Sequence, residues 1–165
     1  MDSMTEDVRY RAASGSAGKV LIARLRPGSD LIAGIRKLCI DFDIKNGYIA
    51  SCIGALHKTR YVYGMPDPNV KGGAGVSEEQ QSSQVVQFLS AQGNICHDES
   101  GEPQVHIHGV FCDQGLLRGG HFDQPGNIVA ATMDLVIQEV SGVDMAVRLD
   151  SEIDQLCLDP NQSNS

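Results

Sequence analysis

From Gly47 onward the chain is written in short apolar runs, alternating at every second position in "HKTRYVYGM", and clusters of Gly, Pro, Asn and Asp separate them. A period of two sends alternate side chains to opposite faces of a strand, so a chain written this way buries itself as sheet. One stretch breaks the rule. After the strand-like "KVLIARLRPG" (Lys19–Gly28), Pro27-Gly28 ends the ladder and Ser29 or Asp30 can cap a helix. Leu31, Ile35, Leu38, Cys39 and Phe42 then recur on one helical face.

The remaining strand candidates are "YIASCIGAL", "HKTRYVYGM", "SQVVQFLSAQ", "GNICH", "QVHIHGVF", "GLLRGGHF", "NIVAATMDLVIQEV" and "VDMAVRL". Many strands at hairpin spacing with one main helix predict an α+β domain built on a twisted, mostly antiparallel sheet. The polar, glycine-rich "PDPNVKGGAGVSEEQQ" reads as a long loop, mobile or functional. Residues 18–157 form the expected single domain, with residues 1–17 and 158–165 as flexible tails. A chain of 165 residues buries a sizeable core unaided, so a bound metal here serves function before folding.

The net charge of −8 is unevenly spread: residues 1–71 hold 11 of the 13 Lys and Arg. No basic tail or concentrated basic patch is visible to neutralise phosphates, which weighs against DNA as a partner. Five cysteines, an odd number without a CxxC pair, read as reduced thiols of a cytoplasmic protein. No apolar run approaches the length of a membrane helix, and the acidic, polar start does not resemble a signal peptide.

The chemistry concentrates in "QVHIHGVFCDQGLLRGGH". On a strand His106 and His108 share a face, with bases roughly 6–7 Å apart. Turn formers at Asp113–Gly115 can return His121 beside them in a hairpin, and Gly119-Gly120 can let the backbone approach an ion. Three neutral imidazoles with an open fourth position suit a catalytic Zn²⁺, while other divalent transition metals tolerate the same ligands. A half-buried strand carrying histidines on its wet face fits the same letters. His57 and His97 stand alone and read as structural or solvent-facing.

"HIH", followed after ten residues by "GGH", resembles the signature of prokaryotic PPC-domain proteins, named for plants and prokaryotes. "RLRPGSDLIAGIRKLCIDFDIKNGYIASCIGAL" and "QFLSAQGNI" are similar to further segments of that family, in the same order. The resemblance implies a fold like that of acetolactate decarboxylase, a homotrimer, and a metal held by His106, His108 and His121. Plant members carry AT-hooks before this domain, and no "RGRP" core occurs in this chain.

One position departs from the family. Gln87 stands where the family usually has Glu, and an amide cannot take up a proton as a general base. Asp113, Asp123 and Glu139 are alternative carboxylates. Arg118 could hold a substrate carboxylate if Gly119-Gly120 bulges, but faces away from His121 if strand alternation is unbroken. The expected functions are a metal-dependent hydrolase or decarboxylase of a small carbonyl or carboxylate compound, a DNA-binding transcriptional regulator, or a non-catalytic sensor of metal or ligand.

Overall fold

The structure is a computed structural model describing residues 8–122 and 124–163. Its elements are β1 (Ser16–Leu25), α1 (Leu31–Asp41), β2 (Gly47–Tyr61), β3 (Gly64–Pro66), β4 (Ala74–Val76), β5 (Gln80–Ser82), β6 (Val86–His97), β7 (Pro103–Asp113), β8 (Leu116–His121), β9 (Ile128–Ser141), β10 (Val143–Asp150) and β11 (Gln155–Gln162). The main sheet runs β1-β9-β2-β6-β10-β11, with β7 pairing β6 and β8 pairing β7. Its pairings are antiparallel except where β6 meets β10 at His97 and Ala146. The α+β, mostly antiparallel expectation holds.

Helix α1 starts where the sequence predicts. Asp30 is the N-cap, accepting from the Ala33 amide at 2.9 Å. Its second oxygen accepts from the amide of Gly126 at 2.6 Å, so one carboxylate both caps the helix and holds the segment leading into β9. Leu31, Ile32, Ile35 and Cys39 are buried, whereas Phe42 is the C-cap and half exposed. The helix covers one sheet face, where Val105, Ile107, Phe111, Leu135 and Ile137 join it in the core.

At one end the pairing closes on itself. β2 pairs β6, β6 pairs β7, β7 pairs β8, and Val62, just past β2, bridges His121 at the end of β8. Inside this ring Tyr61, Phe88, Phe111 and Phe122 pack edge-on or stacked, with centroids 5.1–5.9 Å apart. Such pairs add about 0.5–1.5 kcal/mol each beyond their buried area.

Several boundaries differ from the sequence reading. "YIASCIGAL" and "HKTRYVYGM" form one strand through Tyr61, held across Leu56-His57 by pairing with β6 and β9. "SQVVQFLSAQ" and "GNICH" likewise merge into β6, with Gly93 inside the strand. The expected long loop contains β4, which folds back on β3 through Gly72 and Gly73, both at positive φ, and then β5, which pairs β2. The segment after Cys157 continues as strand to Gln162. Pro160 is tolerated there because β11 is an edge strand with a free side.

At the other end Arg9 pairs with Glu152 at 2.7 Å and Arg11 with Asp159 at 2.6 Å, so residues 8–15 lie against β10–β11 without forming strand. Residues 1–7, 164 and 165, parts of the expected tails, lie outside the described residues, as does Asp123. Among the described residues no helix is long and apolar enough to cross a membrane.

Candidate metal centre

The β7–β8 turn determines the site. Gln114 and Gly115 have φ of 50° and 84°, the left-handed pair of a two-residue hairpin. Asp113 therefore faces Leu116, and the ladder runs without a bulge until His108 faces His121. Val105, Ile107 and Phe111 point into the core under α1, so His106 and His108 point to the opposite, uncovered face.

There the three rings converge. His108 Nε2 lies 2.9 Å from His106 Nε2 and 3.1 Å from His121 Nδ1. All three ligand nitrogens fall within 4.8 Å of one another. Tetrahedral bonds of ~2.0–2.1 Å place neighbouring nitrogens about 3.3 Å apart, so small ring rotations adapt this set to one ion. Burial, with a smaller contribution from His121, holds the His108 imidazole below its ordinary pKa and favours the neutral, metal-ligating form.

The glycines around the histidines have a different role from the one the sequence suggests. A side chain at Gly93 would run into the His106 carbonyl across the ladder. A Cβ at Gly109 would lie 2.5 Å from the Phe88 ring, and one at Gly120 would strike the Val62 carbonyl. Gly120 thus lets Val62 and His121 exchange backbone hydrogen bonds of 2.8 and 3.1 Å, which anchor the third histidine. These glycines serve the strand packing that holds the rings.

The other candidates lie elsewhere. Arg118 is opposite Phe111 on the face turned away from the histidines, 3.5 Å from Asp113 on that same face. The bulge that could have brought Arg118 beside His121 is absent from this ladder. Gln87 is on the histidine side but opposite Cys112, four residues along β7 from His108, or about 13 Å at strand rise. Glu139 is on β9 and accepts the Lys19 amide at 2.9 Å, at an irregularity of β1. His57 is exposed on β2. His97 bonds Asp144 at 2.7 Å and the Asp98 carbonyl at 3.0 Å, joining β6 to β10.

Sequence reasoning missed the true neighbours. Gln92 is directly opposite His108, Asn94 is opposite His106, and Tyr48 is opposite Asn94. The i, i+2 spacing of Gln92 and Asn94 mirrors that of the histidines, but an irregularity between Phe88 and Ser90 sets which residues meet.

Solved structures share this architecture. A metal-containing protein of Archaeoglobus fulgidus is 22% identical, with a TM-score of 0.76 over 90% of this chain and 99% of that one. A plant- and prokaryote-conserved protein of Pyrococcus horikoshii is 21% identical, with a TM-score of 0.72 over 88% and 96% of the two chains. A protein of Ralstonia eutropha, assigned as a candidate DNA-binding protein, is 22% identical, with a TM-score of 0.66 over 83% and 88%. Among curated proteins, the bifunctional protein GlmU of a Synechococcus strain is 25% identical over 141 residues, which are 79% of this chain but only 20% of that protein. The model of the Plants and Prokaryotes Conserved domain matches residues 12–141, and the chain belongs to that family.

Proposed function

We propose that this protein holds a divalent transition metal, zinc by preference of its donors, on His106, His108 and His121, and presents it to a small oxygen-donor ligand. The convergence of three ring nitrogens within 4.8 Å on an uncovered sheet face carries the reading. Three imidazoles leave a fourth position for water or a ligand oxygen, and a metal there polarises a carbonyl or lowers the pKa of bound water. His121 is fastened by backbone pairing to Val62, and His106 and His108 by the β6–β7 ladder, so the chain supplies a preorganised claw.

A homotrimer is part of this proposal. Away from the histidines the uncovered face exposes Val20, Ile22, Tyr48 and Ile53, apolar surface suited to subunit contact. Among the described residues Arg118, Asp113 and Glu139 are turned to other tasks, and ligand sensing needs only the metal and its open position. Elemental analysis of protein purified without chelator tests the site: one metal per chain is expected, lost in His108→Ala. Absence of metal in both proteins would reject it.

DNA binding is the second reading, favoured by the assignment of the Ralstonia eutropha neighbour. The chain's net charge of −8 opposes it. A salt-dependent shift of AT-rich duplex would support it over the metal–ligand reading.

A further inference from the structure

Beside the histidines the uncovered face carries a groove of about 490 Å³, lined by Ser90, Gln92, His108, Val110 and Gly119 together with the backbone of neighbouring glycines. It lies along two cross-strand rows, of which Gln92 and His108 in the first line it directly and His121 is next in line. Gln92, His108 and His121 form one row, and Ser90, Val110 and Gly119 form the next. The groove therefore runs up to the His108 ring, beside the metal-ligating set.

Gly119 leaves it open. Gly93, Gly109 and Gly120 are required by backbone or ring atoms pressed against them. At Gly119 the backbone has no positive φ, and a Cβ would meet the Gly109 carbonyl at 3.0 Å and Val110 Cγ2 at 3.5 Å, milder crowding than at the other three, which the carbonyl must accommodate by giving way a few tenths of an ångström. A larger side chain there would stand between Leu117 and His121, on the histidine face, and fill the groove.

The lining also limits what can enter. None of these side chains is a Lys, Arg, Asp or Glu, and the nearby pair Arg118–Asp113 is on the other face. Gln92 offers an amide and Ser90 a hydroxyl, able to hydrogen-bond but not to neutralise charge. Among the described lining residues a second ionised group on a ligand finds no opposite charge, and any part of it turned from solvent loses hydration without compensation.

Resting on the three-histidine metal reading, we infer that Gly119 is the specificity-determining residue of a ligand groove. It admits small compounds with one oxygen-donor head for the metal and a short uncharged body, and it disfavours those with a second charged group. The body lies against Val110 and the bare Gly119 strand, with Gln92 as the hydrogen-bonding edge.

Cobalt-loaded protein tests this through its visible absorption, which reports binding without turnover. Acetohydroxamate, benzohydroxamate and 4-carboxybenzohydroxamate share one hydroxamate chelating group and differ in body and charge. Benzohydroxamate is expected to bind about tenfold more tightly than its carboxylate. Gly119→Leu, which fills the groove from β8, and Val110→Phe, which fills it from β7 at an exposed position, are each expected to weaken benzohydroxamate about tenfold and leave acetohydroxamate within about twofold. Equal binding of the two aromatic probes, or unchanged benzohydroxamate binding in both variants, overturns the groove. Failure to take up cobalt, or a cobalt spectrum indifferent to acetohydroxamate, instead overturns the metal reading and this inference with it.

Discussion

His108 and His121 face each other directly across the β7–β8 ladder, with His121 Nδ1 3.1 Å from His108 Nε2. The two-residue turn at Gln114–Gly115 sets this register from five pairs away. One glycine inserted between Gln114 and Gly115 should slip β8 by one residue or bulge it, and a one-residue slip turns His121 to the other face. The expected outcome is a folded protein that has lost most of its metal, measured by circular dichroism and elemental analysis together.

Gly109 lies between the claw and the aromatic ring of residues, and its substitution separates packing from ligation. A Cβ there would lie 2.5 Å from Phe88 Cζ and 3.1 Å from Ala91 Cβ, both buried. Gly109→Ala should cost about 1–3 kcal/mol by overpacking. Chemical denaturation should show a lower midpoint with an unchanged slope, whereas an unchanged midpoint would mean that Phe88 moves aside freely.

The histidine face was legible in the sequence because it depends on short-range rules. Alternation puts His106 and His108 together, and the glycine-containing turn brings β8 back at once. What lies opposite the histidines was not legible, because Gln92 and Asn94 are on β6 and their register depends on an irregularity between Phe88 and Ser90 that no local residue announces. The same limit hid the continuity of β2, whose length is set by long pairing with β9 and β6. Strand β11 escaped notice for another reason: its Asp159-Pro160-Asn161 reads as a turn, and only pairing with β10 makes it strand.

Asp144 gives the β10–β11 end of the sheet an acid sensitivity. The His97 hydrogen bond, then Arg148, holds its carboxyl below the usual carboxylate range. A depressed folded-state pKa contributes stability above the unfolded value, about 3.9, and that contribution disappears as pH falls through the folded value. Asp144→Asn should therefore be less stable than the parent near neutrality and converge on it in acid. Denaturation across that range checks the sign, and a gap that stays constant with pH would remove Asp144 from the account.

The cysteines should divide by burial. Burial pushes the Cys39 thiol up to about 11 and the Cys52 thiol to about 12, and Cys96 likewise to about 11. Cys112 and Cys157 are only partly buried. Thiolate is the reactive form, so native protein treated with iodoacetamide at mildly alkaline pH should be modified at Cys112 and Cys157 first. Peptide mapping should find the other three labelled only after unfolding.

Metal removal should leave the fold in place. The core under α1 and the aromatic ring are complete without an ion, and two of the three histidines are exposed on the face opposite α1. The ion's contribution to stability is then a binding term that grows with its free concentration over its dissociation constant. Chelated protein should keep its far-ultraviolet circular dichroism and melt cooperatively at a lower temperature, and added zinc should restore the melting point in the parent but not in His108→Ala. Unfolding on chelation would instead assign the histidines a structural role, as the ion would then be holding β8 against β7.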